Sequence, residues 1–568
     1  MDDLLPSPTP SSDSGDPLSP SPTSPALPAE SSVKPILEPP MPAAPPAQDL
    51  PNQDQVAVDV PENPPQDWGI GAVPAAPTPE STAPVPEPAA PSPGAMGGET
   101  LVIPPTEAPN NPFIPQENAP AAGPTTSGKK PFGKRILSLL MIIIVLALLA
   151  GVGYFVYGKF FAPSAKGATL VYWGLWETSA VTQGVIADFQ AANPNIKVEY
   201  VKQSPRQYRE RLQAAIARGD GPDVFEFHNT WVPMFRNELM AAPPDIMTPA
   251  EFSTIFYPVA SADLVGGSSV YGMPMMFDGL ALYYNTDLLS AAGVNPPTTW
   301  PEMLEVVPKL TVKTDTQIQK SAIALGTTGN IEHFSDIIAL MMMQDGARLI
   351  APTGKEAEET LLFYRKFSNP SDPVYTWNDA MDNSVYAFAT GKVAMILAPS
   401  WRVFDVKQIN PSINFRTGPV PQLPGNTVNW ASYWVEGVST KSKDPTAAWT
   451  FVKYLTSSDA VMKLYEEASK TRLFGEPYAR VELGATLAED PYVGAYMKGA
   501  PTAKSFPLAS RTFDNGLNDK LIQYLTDAVN AVGAGTAPQQ ALETMSQGFA
   551  QVLGDYGLSV GAAPATTP

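Results

Sequence analysis

Hydrophobic residues along this chain change pattern twice. They are sparse and scattered up to about residue 128, unbroken by any charge from Ile136 to Tyr157, and periodic thereafter. The unbroken run is 22 residues long. At ~1.5 Å per residue a helix of that length spans ~33 Å, enough to cross the hydrocarbon core of a bilayer. It has no polar face, so a buried core helix fits it poorly. Periodicity begins just beyond a linker at 158–168. Leu170 to Trp173 reads as a short strand. Val181, Val185, Ile186 and Phe189 recur at helical spacing within Thr178 to Ala192, and Asn193-Pro194 ends that helix. Ile196, Val198 and Tyr200 alternate as in a half-buried strand. Tyr208, Leu212 and Ile216 share a helix face, Gly219 to Pro222 breaks the chain, and Val224 to Phe227 is the next strand. This β-α-β-α-β order predicts an α/β fold with a parallel sheet. Ligands of such sheets bind beyond the carboxyl ends of the strands.

Charge gives the apolar run an orientation. Lys129, Lys130, Lys134 and Arg135 form a basic segment at 129–135, whereas Lys159 and Lys166 are the nearest cations on the other side. Positive flanks stay cytoplasmic, which predicts a single-pass membrane protein with its N-terminus inside and its C-terminal domain outside. A cleaved signal peptide accounts less well for a run this long that starts so far into the chain, although Ala162 and Ser164 supply small residues for cleavage. The chain has no cysteine. That excludes disulfides, thiolate chemistry and a cysteine-linked lipid anchor, and leaves the helix to hold the protein in the membrane.

Residues 1–128 hold 33 of the 64 prolines, 16 acidic residues and one basic residue, Lys34. They carry −15 of the chain's net charge of −20. Too few large apolar groups are present to offset the entropy of ordering, so this tail is expected to be disordered and extended. It reads as a solvated spacer or a docking tail for proline-recognising partners. The C-terminal residues 558–568 are expected to be disordered as well. No basic stripe points to nucleic acid.

The candidate chemistry is aromatic. Tryptophans cluster where strands are predicted to end: Trp173 and Trp176 with Glu177 after the first strand, Trp231 after the third, Trp401 after the Gly391–Leu397 run, and Trp430 and Trp434 within Asn429–Val438. Indole faces pack on the C–H faces of sugar rings, and neighbouring amide, hydroxyl and charged groups bind hydroxyls. Trp300 and Trp449 sit on predicted helices and read as structural. A glycoside hydrolase needs two carboxylates at a set separation. Glu177, Glu226 and Asp278 are available, but no spacing pairs them. His228 and His333 are the only histidines and form no metal-binding pattern, so no metal or cofactor is implied. His228 suits a polar cleft and His333 an exposed helix position.

Residues 169–557 resemble the extracellular solute-binding proteins of ABC transporters, in the sugar-binding group that includes the maltose-binding protein. The resemblance rests chiefly on Tyr271-Gly272-Met273-Pro274, on Leu280 to Leu289, on Ala292-Gly293 and on Pro296 to Trp300. Gly219 to Val224, Gly391 to Trp401 and Lys441 to Thr456 agree in order and spacing. It implies a two-lobed periplasmic-binding-protein fold of type II, with a first lobe of about 169–276 plus a return near 430–470, and a second of about 278–425 plus the C-terminal helices. It implies a ligand cleft between the lobes that closes on a solute, probed by Trp173, Glu177, Trp231, Asp278, Trp401, Trp430, Trp434 and Arg472. It further implies a monomer that delivers a sugar to ABC permease and ATPase subunits. Neither partner is in this chain, which lacks a GxxxxGK[ST] loop. A surface sensor using the same cleft is the alternative.

Overall fold

The structure is a computed structural model that describes residues 141, 143–150, 167–314 and 317–558. The acidic tail and most of the apolar run lie outside the described residues, as do all but the first residue of 558–568. Met141 and residues 143–150 are helical, with apolar side chains such as Leu146 and Leu148 exposed. Among the described residues no helix is long and apolar enough to cross a membrane.

From Ala168 the predicted alternation is found. Strand β1 (Ala168–Gly174), helix α1 (Ser179–Ala192), β2 (Ile196–Lys202), α2 (Tyr208–Arg218) and β3 (Val224–His228) follow in order. β1 pairs in parallel with both β2 and β3. The chain then crosses to a second sheet through β4 (Ala281–Asn285). Asn285 caps the following helix by accepting hydrogen bonds from the backbone N–H of Asp287 and Leu288, and Gly293 ends it at φ 65°. These two constraints explain the Asn-Thr-Asp and Ala-Gly positions of the motif. Next come α3 (Trp300–Leu310), β5 (Val312–Thr314), β6 (Gln317–Ile323), α4 (Phe334–Asp345), α5 (Lys355–Lys366), β7 (Val393–Ala398), α6 (Arg402–Ile409) and β8 (Phe415–Gly418). The second sheet has the order β8-β4-β7-β6-β5.

The chain returns to the first sheet through β9 (Trp434–Val438), which pairs antiparallel with β3 and gives the order β9-β3-β1-β2. Helices α7 (Pro445–Leu455) and α8 (Ser458–Ser469) cover one face of it, and α9 (Leu517–Gly533) and α10 (Pro538–Asp555) pack on α5 of the second lobe. The fold is thus two α/β lobes, each built on its own sheet.

The stretch Asn429–Val438 reads as one run in sequence but is divided. Asn429–Trp430 pairs with Ala503–Lys504, whereas β9 belongs to the first lobe's sheet. Ala431 to Tyr433 between them is a crossing, and it lies against the outbound crossing at Gly279. A side chain on Gly279 would place its Cβ 1.8 Å from the Trp430 carbonyl oxygen, so the two crossings meet only because this residue has none. Met276, beside the same place, bridges to Tyr478.

Candidate functional site

Strand polarity decides what meets at the edge of the first sheet. β9 runs antiparallel, so its amino end lies beside the carboxyl end of β3, with Trp434 opposite His228 and Glu436 opposite Glu226. Period-two alternation then puts Tyr172, Tyr200, Glu226 and Glu436 on one face. They floor a recess of about 650 Å³, part of it open solvent. Its walls include Trp176, Trp434, Tyr465 and Met275, and Glu177 and Glu476 also line it. Tyr172, Glu226 and Glu436 are buried, while Tyr200, Trp176, Glu177, Trp434 and Glu476 are half-buried. Gly174 leaves space for the Tyr200 ring, which a Cβ would meet at 2.6 Å.

The aromatics hold one another. Trp434 makes edge contacts with Trp176 at 5.2 Å, with Trp231 at 5.3 Å and with His228 at 5.2 Å between ring centres. Such T-shaped pairs are a preferred aromatic geometry and fix ring orientation. Beside them, an Arg472 Nη donates to Glu177 Oε1 at 2.6 Å and to Glu476 Oε1 at 3.0 Å. The same guanidinium lies 5.5 Å from the Phe404 ring of α6 in the second lobe.

The carboxyl groups are unusual. Glu226 Oε2 accepts a hydrogen bond from the Leu175 N–H at 2.6 Å, and Tyr172 donates to Glu436 Oε1 at 3.1 Å. Burial pushes Glu226 up to about 8, and burial together with the neighbouring Glu226 carries Glu436 well above the usual carboxylate range. Burial thus favours the neutral acid form of both. Glu177 is also raised, by burial and then by Glu476, against the opposing pull of Arg472. His228 is buried with Nδ1 2.8 Å from Thr230 Oγ1 and Nε2 3.1 Å from Ser432 Oγ, and burial lowers it to about 3. It stays neutral in the physiological range.

The bacterial extracellular solute-binding protein family matches residues 176–462, half of the chain. The chain belongs to that family. A multiple sugar-binding protein of Streptococcus mutans is 24% identical over 302 residues, which are 51% of this solute-binding protein and 71% of the relative. A maltotriose-binding protein of Pyrococcus abyssi is 24% identical over 296 residues, 50% of this chain and 61% of the relative. Among solved structures, the sugar-binding protein MalE of Xanthomonas citri superposes with a TM-score of 0.57 at 22% identity, over 68% of this chain and 98% of that one. A cyclo/maltodextrin-binding protein complexed with maltotetraose gives 0.56 at 20% identity, over 69% and 99%. The two-lobed fold expected from the resemblance is thereby shown.

The solute-binding protein distributes the eight candidate residues unevenly. Glu177, Trp434 and Arg472 meet at the recess. Trp173 is the last but one residue of β1, on the opposite face from Tyr172, and does not line it. Trp231 is 1% exposed and stacks on Phe235 at 5.7 Å. Trp430 is equally buried and donates Nε1–H to Asp336 at 2.8 Å. Asp278 is buried in the crossing, where its carboxylate accepts from Gly279 N–H at 2.8 Å and from Ser400 N–H and Oγ–H at 3.0 and 2.8 Å. It thus fastens the crossing to the turn that carries Trp401. Trp401 is half-buried at the start of α6, 4.0 Å from the Arg402 guanidinium and 5.6 Å from His333. Trp300 and Trp449 are core residues, as read. His333 is not exposed: it is 3% accessible, and its Nε2 accepts from Arg402 Nε at 3.0 Å. Its helical neighbourhood hid that long-range partner. Trp176, seen at a strand end but not among the eight, lines the recess, as does Glu226, whereas Tyr200 and Glu436 are lining residues the sequence reading did not single out. The alternation of β3 from Val224 marks Glu226 as sharing a face with His228, and that signal was available.

Proposed function

We propose that this protein is a membrane-anchored extracellular receptor that captures a sugar or oligosaccharide between its lobes and passes it to an ABC importer. The observation that carries this reading is the Trp176–Trp434 pair, half-buried at the strand ends beside the Glu177–Arg472–Glu476 ion cluster and next to the lobe crossings. Indole faces offer an apolar platform for pyranose rings, and the charged cluster offers planar groups for hydroxyls. Trp401 follows Ser400, whose hydrogen bonds to Asp278 tie this turn to the crossing, and in this reading it is the aromatic contact from the second lobe. The names of the relatives, sugar-binding and maltotriose-binding, agree with the class.

The run from Ile136 to Tyr157 serves as the anchor, with residues 1–128 on the cytoplasmic side and the lobes outside. The exposed apolar side chains of residues 143–150 suit a lipid surround. A permease and its ATPase subunits complete the importer, and the receptor acts as a monomer without catalysis. In the test, Trp401→Ala weakens oligosaccharide binding by roughly 1–3 kcal/mol, the scale of one buried large side chain, with the melting curve unchanged. Unaltered affinity in a calorimetric titration contradicts Trp401's part in the site.

A further inference from the structure

The floor of the recess differs from its rim in chemistry. Hydroxyl recognition accounts for Trp176, Trp434, Glu177 and Arg472. It leaves two acids facing each other across neighbouring strands beneath them. Glu436 lines the recess and is 1% exposed, and its Oε2 is buried with no hydrogen-bond partner among the described residues. A buried carboxyl oxygen without a donor is costly, because its lost hydration is not replaced. Glu436 Oε1 accepts from the Tyr172 hydroxyl, and Glu226 Oε2 accepts from the Leu175 N–H. Aromatic residues line the recess around them, Tyr172, Tyr200 and Trp434 among them. Aromatic rings around carboxylates are the environment that holds an ammonium ion, through cation–π attraction and charge-assisted hydrogen bonds.

We propose that the Glu226/Glu436 floor of the recess is a subsite for a primary ammonium group, so that the captured solute is an amino sugar or its oligomer. This rests on the reading of the recess as part of the sugar site and adds the class of sugar. As the ammonium enters, Glu436 gives its proton to solvent, and the resulting carboxylate faces the cation. The groups that share this environment are Glu226, Tyr172 and Tyr200 on the sheet, Tyr465 from α8, and Glu177, Glu476 and Arg472 at the rim. Arg472 is the one cation hydrogen-bonded at the rim among the described residues, and it is already bound by both rim glutamates.

The test is calorimetric titration of the full chain at mildly acidic pH with three probes: a glucose disaccharide, the corresponding glucosamine disaccharide, and 1,4-diaminobutane. The expected result is that the glucosamine disaccharide binds about tenfold more tightly than its neutral counterpart. It also releases a proton, read from titrations in two buffers of different ionisation heat. Glu436→Gln, checked by its melting curve, removes both the preference and the proton release. The proton count on the unaltered chain stands even where the variant folds poorly. Equal or tighter binding of the neutral sugar overturns the ammonium subsite and leaves the sugar site. Binding of the diamine alone supports the subsite and overturns the sugar reading. Binding of none of the three overturns both.

Discussion

Glu226 is the residue on which burial leaves its clearest trace. Its folded value of about 8 lies above the ordinary carboxylate value, so folding favours the protonated form. That contribution is complete below the unfolded value near ~4.3 and is lost as pH rises through about 8. Asp278, raised to about 7 by burial, has the same sign. His228, lowered to about 3, has the opposite one: its contribution is present above the unfolded value of ~6.5 and is lost as pH falls toward about 3. The melting temperature is therefore expected to peak in the mildly acidic range and to fall toward alkaline pH. Glu226→Gln should flatten the alkaline side. A variant whose melting temperature falls as steeply as the parent's from about pH 6 to about pH 9 refutes this assignment. Identity of residue type was legible in the sequence, and orientation was not. Trp173 and Trp176 were equally visible near a strand end, yet only the strand's register puts Tyr172 and Trp176 toward the recess and Trp173 away from it. Trp231 and Trp430 look like rim residues by position and are buried by contacts from far along the chain.

Elements were more legible than side chains, because their signals are local. The first lobe's β-α-β-α-β order, the Asn285 cap and the Gly293 stop all follow from neighbouring residues. The division of Asn429–Val438 does not, since a strand that changes lobes keeps its local pattern while its partners change. The crossing is also the element most sensitive to a small change. Gly279→Ala forces a methyl into the Trp430 carbonyl, and neither backbone can yield without moving a crossing. Overpacking of this kind costs about 1–3 kcal/mol. Chemical denaturation should register it as a lower midpoint, and an unchanged midpoint contradicts the close approach. A second constraint lies before α9, where Arg511, Phe513 and Asn515 have φ of 62°, 53° and 44°. Arg511 pairs there with Glu332 of the second lobe, while Asn515 donates to Glu210 of the first at 3.0 Å. Left-handed residues without glycine are held by such contacts rather than by preference.

On the scale of the whole molecule, two sheets are joined by adjacent crossings, and the proposed capture of a solute between the lobes makes these crossings the expected hinge. A ligand shifts such a pair of lobes toward closure only by the affinity it gains in the closed state. Saturating ligand is therefore expected to reduce the radius of gyration in small-angle scattering. Unchanged scattering with ligand bound contradicts closure. The apolar run was the most conspicuous feature of the sequence because its signal is composition, whereas the ligand is the least legible, because it depends on distances between residues hundreds of positions apart. The most direct test of the central claim is a thermal-shift titration of the full chain against neutral and amino oligosaccharides, amino acids, polyamines and phosphate esters. A ligand bound only by the folded state raises the melting temperature by mass action. The account predicts a shift with oligosaccharides, larger for those that carry a free amine. A shift confined to amino acids or phosphate esters, or none with any sugar, would contradict it.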